Sequence, residues 1–161
     1  MIEFEINAEF AKDVEVVLAS KQFRSFEPIR ESGAKILTAV CIRTDKTGEH
    51  QPAKGTPIIC KKLPPLYQLL MQAQYIVVAD YYYWTHADSR KVAGSIHSAL
   101  ASIDIEKDDK GEYKYKTRKP DIREHRVTVE NFGPYTEDLK DFSVAMDAGA
   151  KLFAENMIAK E

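Results

Sequence analysis

Between Asp88 and Ile103 the chain reads DSRKVAGSIHSALASI, and no other stretch constrains the fold as much. Val92, Ile96, Leu100 and Ile103 recur at steps of three and four, which places them on one stripe of a helix and predicts that this stripe is buried. Asp88 and Ser89 carry side-chain oxygens that can accept from the first free backbone N–H groups, so the helix is expected to start there. His97 falls in its third turn.

The rest of the chain has to supply the covering for such a helix. At 161 residues, with 44% hydrophobic and 30% charged side chains, it reads as a single soluble globular domain over 1–161, long enough to bury a core. Its apolar runs fall short of the ~18 residues that a membrane span needs. The opening MIEFEINAEF lacks a basic region followed by an apolar one, so a cytoplasmic location is expected, with no membrane partner. Cys41 and Cys60 lie in predicted strands rather than in a Cys-x-x-Cys pair, and read as buried reduced thiols. The 23 basic and 25 acidic residues, net −2, are intermixed, so the overall charge points neither to nucleic acid nor to an anionic membrane.

Taken in order, residues 8–20 put Phe10, Val14, Val17 and Leu18 on one helical face. A short helix around Phe26–Glu31 follows, stopped by Gly33. Ala34–Thr44 is rich in branched residues and reads as a strand. Asp45–Pro57, with Gly, Pro and charges, reads as a solvated loop containing His50. A second short strand at 58–60 leads to a proline-started helix over Leu63–Ala73, whose Leu66, Leu69, Leu70 and Ala73 share a face. Tyr75–Trp84 reads as a strand of buried type through Ala79, ending in aromatics. Alternation along that end would bury two of Tyr81, Tyr82, Tyr83 and Trp84 and expose two near a crevice beside His97. After Ile103, Asp108, Asp109 and Gly111 form a turn and Glu112–Thr117 a small hairpin arm with Tyr113 and Tyr115 on one face. Pro120 and Asp121 start a helix that points Ile122, Val129 and Phe132 inward and stops at Gly133. A long terminal helix over Thr136–Lys160 carries Leu139, Phe142, Ala145, Met146, Ala150, Phe153 and Met157, with a break near Gly149.

The order of the strand YIVVADYYYW, the His97 helix, an acidic turn with Gly111, then KPDIREHRVTVENFG and YTEDLKDF resembles the putative phage metallopeptidase domain family. GTPIICKKLPPLYQLL resembles the Gly-containing strand and following helix of the same family, so the likeness spans about Ala34–Phe142. The resemblance implies a zincin-like fold and a helix carrying His-Glu-Leu-x-His, in which two histidines four apart share a face and the glutamate is the base. His97 matches the first metal histidine. Ser98 stands in place of the base, Ala101 in place of the second histidine, and Glu124 at a downstream glutamate that could be a third ligand. A serine hydroxyl cannot take the proton of a metal-bound water at neutral pH, alanine coordinates nothing, and catalytic zinc sites keep three protein ligands. The inherited site, His97, Ser98, Ala101 and Glu124, is therefore expected to be vestigial, with no catalytic residue and no cofactor. Zinc is the metal a remnant could hold.

Other readings stay open beside this one. Asp104, two helical turns after His97 if the helix extends that far, could join His97 and Glu124 or His125 as a rearranged metal-ligand set for a peptidase. His86 is expected to flank the helix start. The acidic run Glu106, Asp108, Asp109 lacks the alternate ligands and closing glutamate of an EF-hand. The arm from Lys107 to Lys119 interleaves Lys110, Lys114, Lys116, Arg118 and Lys119 with Tyr113 and Tyr115, a combination that single-stranded nucleic acid asks for, although neighbouring acids offset the charge. Partner-protein binding would use exposed members of Tyr81, Tyr82, Tyr83 and Trp84 together with Tyr113 and Tyr115.

The expected architecture is α+β, a small mixed sheet packed by helices. The expected function is that of a phage or prophage protein, in the host cytoplasm if phage-encoded. It is expected to keep a metallopeptidase scaffold without the chemistry and to bind a partner protein, one of the host if the chain is host-directed.

Overall fold

A computed structural model describes residues 1–120, 126–133, 135, 136, 140 and 144. The elements in order are β1 (Ile2–Glu5), α1 (Ala8–Ala19), α2 (Glu27–Ser32), β2 (Ile36–Arg43), β3 (Ile58–Lys62), α3 (Pro65–Met71), β4 (Tyr75–Asp80), α4 (Tyr81–His86), α5 (Ser89–Ala101), β5 (Ile103–Lys107), β6 (Tyr113–Thr117) and α6 (Arg126–Phe132). The architecture is α+β. A four-stranded mixed sheet runs β1-β2-β4-β3, and β5 and β6 form a separate two-stranded sheet.

Local chemistry sets the boundaries. Asn7 caps α1 by accepting from the Glu9 and Phe10 N–H groups, and Gly33 ends α2 in the left-handed region at φ 66°, where a Cβ would be strained. Asp88 accepts from Lys91 N at 2.9 Å and so caps α5, as the sequence predicts. Helix α5 stops at Ala101 because Ser102 closes it and Ile103 already belongs to β5.

Register decides which face of the sheet is covered. Val40 pairs with Ala79 and Ile58 with Ala79, so these side chains share a face with Ile36, Ile42, Tyr75, Val77 and Cys60. That face clusters with Phe10, Val14 and Val17 of α1 and with Val92, Ile96 and Leu100 of α5. The opposite face carries Ile2, Phe4, Leu37, Ile59, Ile76 and Val78, none of which belongs to this cluster. The small sheet joins the covered side through the Tyr75 hydroxyl, which donates to the Lys116 carbonyl at 2.7 Å.

Two expectations fail. Tyr81–Trp84 is not a strand end but the helix α4, because the Asp80 carboxylate accepts from Tyr83 N at 3.1 Å and turns the chain. The same carboxylate, buried, pairs with Arg43 at 2.8 Å. The apolar face expected of the helix after β3 is not inward either: Leu66, Leu69 and Leu70 are exposed and only Ala73 is buried. Helix α3 is seven residues long, has no buried residue, and returns the chain from β3 to its neighbour β4. Asp121–His125, with the helix start, Ile122 and Glu124, and most of the expected Thr136–Lys160 helix lie outside the described residues.

Cys41 and Cys60 are free, Cys41 buried and Cys60 half-buried. Burial of its sulfur pushes the Cys60 thiol up to about 12, against a weaker opposite pull from Ser102. Burial raises the Tyr75 hydroxyl as well. Both groups are neutral in the fold, so their contribution is complete below the unfolded-state pKa, ~8.5 for the thiol and ~10 for the phenol. It is lost as pH rises towards the folded-state value. The unfolding free energy from urea titrations should therefore fall by ~1.4 kcal/mol per pH unit for each group, from about pH 8.5 upward for Cys60 and from about pH 10 upward for Tyr75. In Cys60→Ala the decline should begin only near pH 10. An unchanged profile in that variant would contradict the assignment.

Candidate functional site around His97

His97 sits on the inner side of α5, fully enclosed at 0% exposure. Its ring meets Phe23 edge-on at 4.6 Å, Phe26 at 4.7 Å and Phe132 at 5.3 Å. Nδ1 lies 2.7 Å from the Thr128 hydroxyl, itself buried. Nε2 is 3.5 Å from the Asn131 amide nitrogen, which also donates to the Val127 carbonyl at 2.7 Å. The imidazole is held as a core group: three aromatic rings take its faces and edges, and α6 brings polar side chains to both nitrogens. Nothing in the sequence marked Thr128 or Asn131. Each is polar within an apolar-looking run, and their target lies about thirty residues upstream.

Close packing fixes α6 and the chain after it against α5. Arg90 donates to the Phe132 carbonyl at 2.6 Å, and the Tyr135 ring lies so near Gly94 that a Cβ there would sit 2.9 Å from it. A glycine is therefore required for this approach.

The donor set can be tested against a metal. Ala101 is 1% exposed, packed in the core, and offers no ligand. Ser98, half-buried, is not a base. Asp104 does not continue α5: it lies in β5 opposite Lys116, and its neighbours Ile103 and Ile105 turn into the core, so alternation points its carboxylate the other way. The helical extension that would set Asp104 two turns after His97 is thus not present, since α5 ends at Ala101. Among the described residues no group of three His, Cys, Asp or Glu side chains could hold a metal ion. Glu124 and His125 lie outside the described residues. Of the three motif positions on α5, His97 alone carries an imidazole, and a catalytic zinc takes three protein ligands and an open position for water.

The family model described as Putative phage metallopeptidase matches residues 2–147. The chain belongs to that family. The match extends beyond Ala34–Phe142 on both sides, so β1, α1 and α2 are part of the phage metallopeptidase domain and not additions to it. No curated protein and no solved structure matches the chain. No helix among the described residues is long and apolar enough to cross a membrane.

The aromatic candidates are distributed differently from the expectation. All four residues of Tyr81–Trp84 are half-buried. Trp84 donates to Asp13 at 2.8 Å and meets Phe10 edge-on. The Tyr83 hydroxyl is 2.9 Å from Ser95 Oγ, Tyr81 lies against the His50 ring, and Tyr82 stacks on His86 at 4.2 Å. Thus α4 is largely a bracket between α1 and α5. The crevice that Tyr82 and Tyr83 line, about 710 Å³, is bounded by Pro52, Pro57, Asp80 and Lys91, not by His97.

On the arm, the hairpin is as expected, with Asp108 accepting from Lys110 and Glu112 N–H groups in its turn. Tyr115 meets Tyr75 and packs on the core, and Lys107 lies over the Tyr113 ring at 5.5 Å. Lys116 pairs with Glu106 at 2.6 Å, holding that carboxyl below its usual range, and Lys114 lies 3.9 Å from Asp108.

Proposed function

We propose that this member of the phage metallopeptidase family is non-catalytic and acts by binding a partner protein, one of the host if the chain is phage-encoded. The observation that carries the reading is the state of His97. The histidine that would begin the zinc motif is enclosed by Phe23, Phe26 and Phe132 and engaged by Thr128. A metal ligand must present a nitrogen lone pair to an ion that substrate and water can reach, whereas this ring is buried, with the Thr128 hydroxyl at Nδ1 and the Asn131 amide near Nε2. Ser98 and Ala101 add that neither the general base nor the second ligand is present on the same helix. A domain without these groups retains its surface, and surface recognition is what remains to it.

Calorimetric titration of chelator-treated protein with zinc, followed by a peptidase assay with and without chelator, tests the reading. The expected result is no saturable heat and no chelator-sensitive cleavage. Stoichiometric zinc binding with a Kd below roughly 1 μM, about 8 kcal/mol, together with zinc-dependent cleavage would overturn it.

A further inference from the structure

We propose that the outer edge of β1 is the docking site, and that it takes an extended segment of another protein in which apolar residues alternate with lysine or arginine. The inference rests on the partner-binding reading above and names the surface and the chemistry of the partner.

Strand β1 ends the four-stranded sheet, and among the described residues only β2 pairs with it. The bond from Thr44 N–H to the Met1 carbonyl at 3.0 Å sets the phase of the ladder. In an antiparallel pair alternate residues bond to the neighbour, so Met1, Glu3 and Glu5 face β2 while Ile2 and Phe4 direct N–H and C=O outward. A strand offered there gains backbone hydrogen bonds at that 3.3–3.4 Å per-residue spacing.

The side chains beside this open backbone are unusual for an edge. Ile2 is 61% exposed, Phe4 67% and Ile6 87%. Across the ladder Ile2 lies opposite Arg43 and Phe4 opposite Cys41, on the sheet face turned away from the cluster that α1 and α5 cover. Natural edges are ordinarily protected by charge, proline or a covering loop. Among the described residues its protection is Glu3 and Glu5, on the helix side of the sheet, paired opposite Ile42 and Val40.

Those two glutamates decide what can bind. A second copy joined edge to edge about a two-fold axis runs antiparallel and sets Glu3 opposite Glu5 when centred on Phe4, a like-charge pair on each side. The edge is thus set against itself. The neighbourhood strengthens the sign: residues 2–16 hold Glu3, Glu5, Glu9, Asp13 and Glu15 against Lys12 alone. An incoming strand with cations on the glutamate side and apolar residues beside Ile2 and Phe4 satisfies both faces.

The experiment uses the full chain and two fluorescein-labelled peptides, Lys-Ile-Lys-Val-Lys-Ile-Lys and its glutamate counterpart, in polarisation titrations. The expected result is saturable binding of the lysine peptide at least tenfold tighter than of the glutamate peptide. In Glu3→Lys/Glu5→Lys the preference should reverse. Phe4→Pro removes an outward N–H while sparing the β1–β2 ladder, and should lose at least tenfold. Should Phe4→Pro fail to fold by circular dichroism, the lysine peptide N-methylated at alternate residues replaces it, one methylation phase losing binding and the other not. Equal binding of the two peptides, no binding, or binding insensitive to both the proline and the N-methyl changes overturns the proposal. So does a dimer in sedimentation velocity that Phe4→Pro abolishes, which would make the occupant a second copy. Zinc-dependent cleavage overturns the non-catalytic reading and a lysine peptide that does not bind overturns this one, so the two failures are separable.

Discussion

His97→Ala is expected to lower the unfolding free energy by about 4 kcal/mol in metal-free buffer, read from urea unfolding of the chelator-treated protein. The ring fills a space bounded by Phe23, Phe26 and Phe132, and removing a buried ring of this size ordinarily costs ~3–5 kcal/mol. The buried Thr128 hydroxyl loses the Nδ1 contact as well, and a polar group left unsatisfied costs ~1–3 kcal/mol. Part of that sum is recovered as the three phenyl rings relax inward, so the upper end is not reached. His97→Gln, which keeps an amide within range of Thr128, should lose about half as much. A histidine retained as a metal ligand behaves in the opposite way: its removal leaves the metal-free protein unchanged and abolishes only the stabilisation that added zinc provides. Unchanged stability of His97→Ala without metal would therefore remove the structural account of this residue.

Rebuilding the lost motif should be nearly as damaging. Ser98→Glu with Ala101→His restores the letters of His-Glu-x-x-His, yet Ala101 is 1% exposed and its carbonyl accepts from Arg118 at 2.8 Å. An imidazole placed where a methyl group now packs overfills the core, ~1–3 kcal/mol, and buries polar nitrogens with no partner provided, a further ~1–3 kcal/mol. We expect the double variant to lose about 3 kcal/mol or more and to bind zinc no better than the parent. The single Ser98→Glu, at a half-buried position, should lose less. A double variant of undiminished stability that takes up zinc would show that the old pocket is still open and only its ligands have changed.

Both variants probe what could and could not be read from the chain alone. Helix α5 was legible from its cap to its buried stripe because its signals are local: Asp88 bonds three residues ahead, and Val92, Ile96 and Leu100 share a face by spacing alone. The same holds for α1, for Gly33 as a stop and for β2. The aromatic run was misassigned because one side chain overrode the β preference of tyrosine and tryptophan: Asp80 caps the turn that follows it, and a cap outweighs propensities of a few tenths of a kcal/mol. The apolar face of α3 failed for the opposite reason. Periodicity reports that a face exists and says nothing of whether another layer meets it. The surroundings of His97 were out of reach, since Phe23, Phe26, Thr128 and Phe132 come from segments on both sides of α5 that only the tertiary fold assembles.

The strand order carries one more consequence, for the nascent chain. Strand β4 is the partner of both β2 and β3, so a chain synthesised only as far as Lys62 holds β1 and β2 as an antiparallel pair and β3 with no neighbour. Two strands are marginal in water, and the parallel β2–β4 pairing must close a loop over the intervening residues before it returns any stability. Emergence of Tyr75–Asp80 from the ribosome is thus the earliest point at which the sheet can cooperate, and α5, which covers it, follows directly. Until then the apolar strands depend on whatever holds unfolded chains apart, and the length at which a stalled chain first resists protease should lie beyond β4 and close to the end of α5.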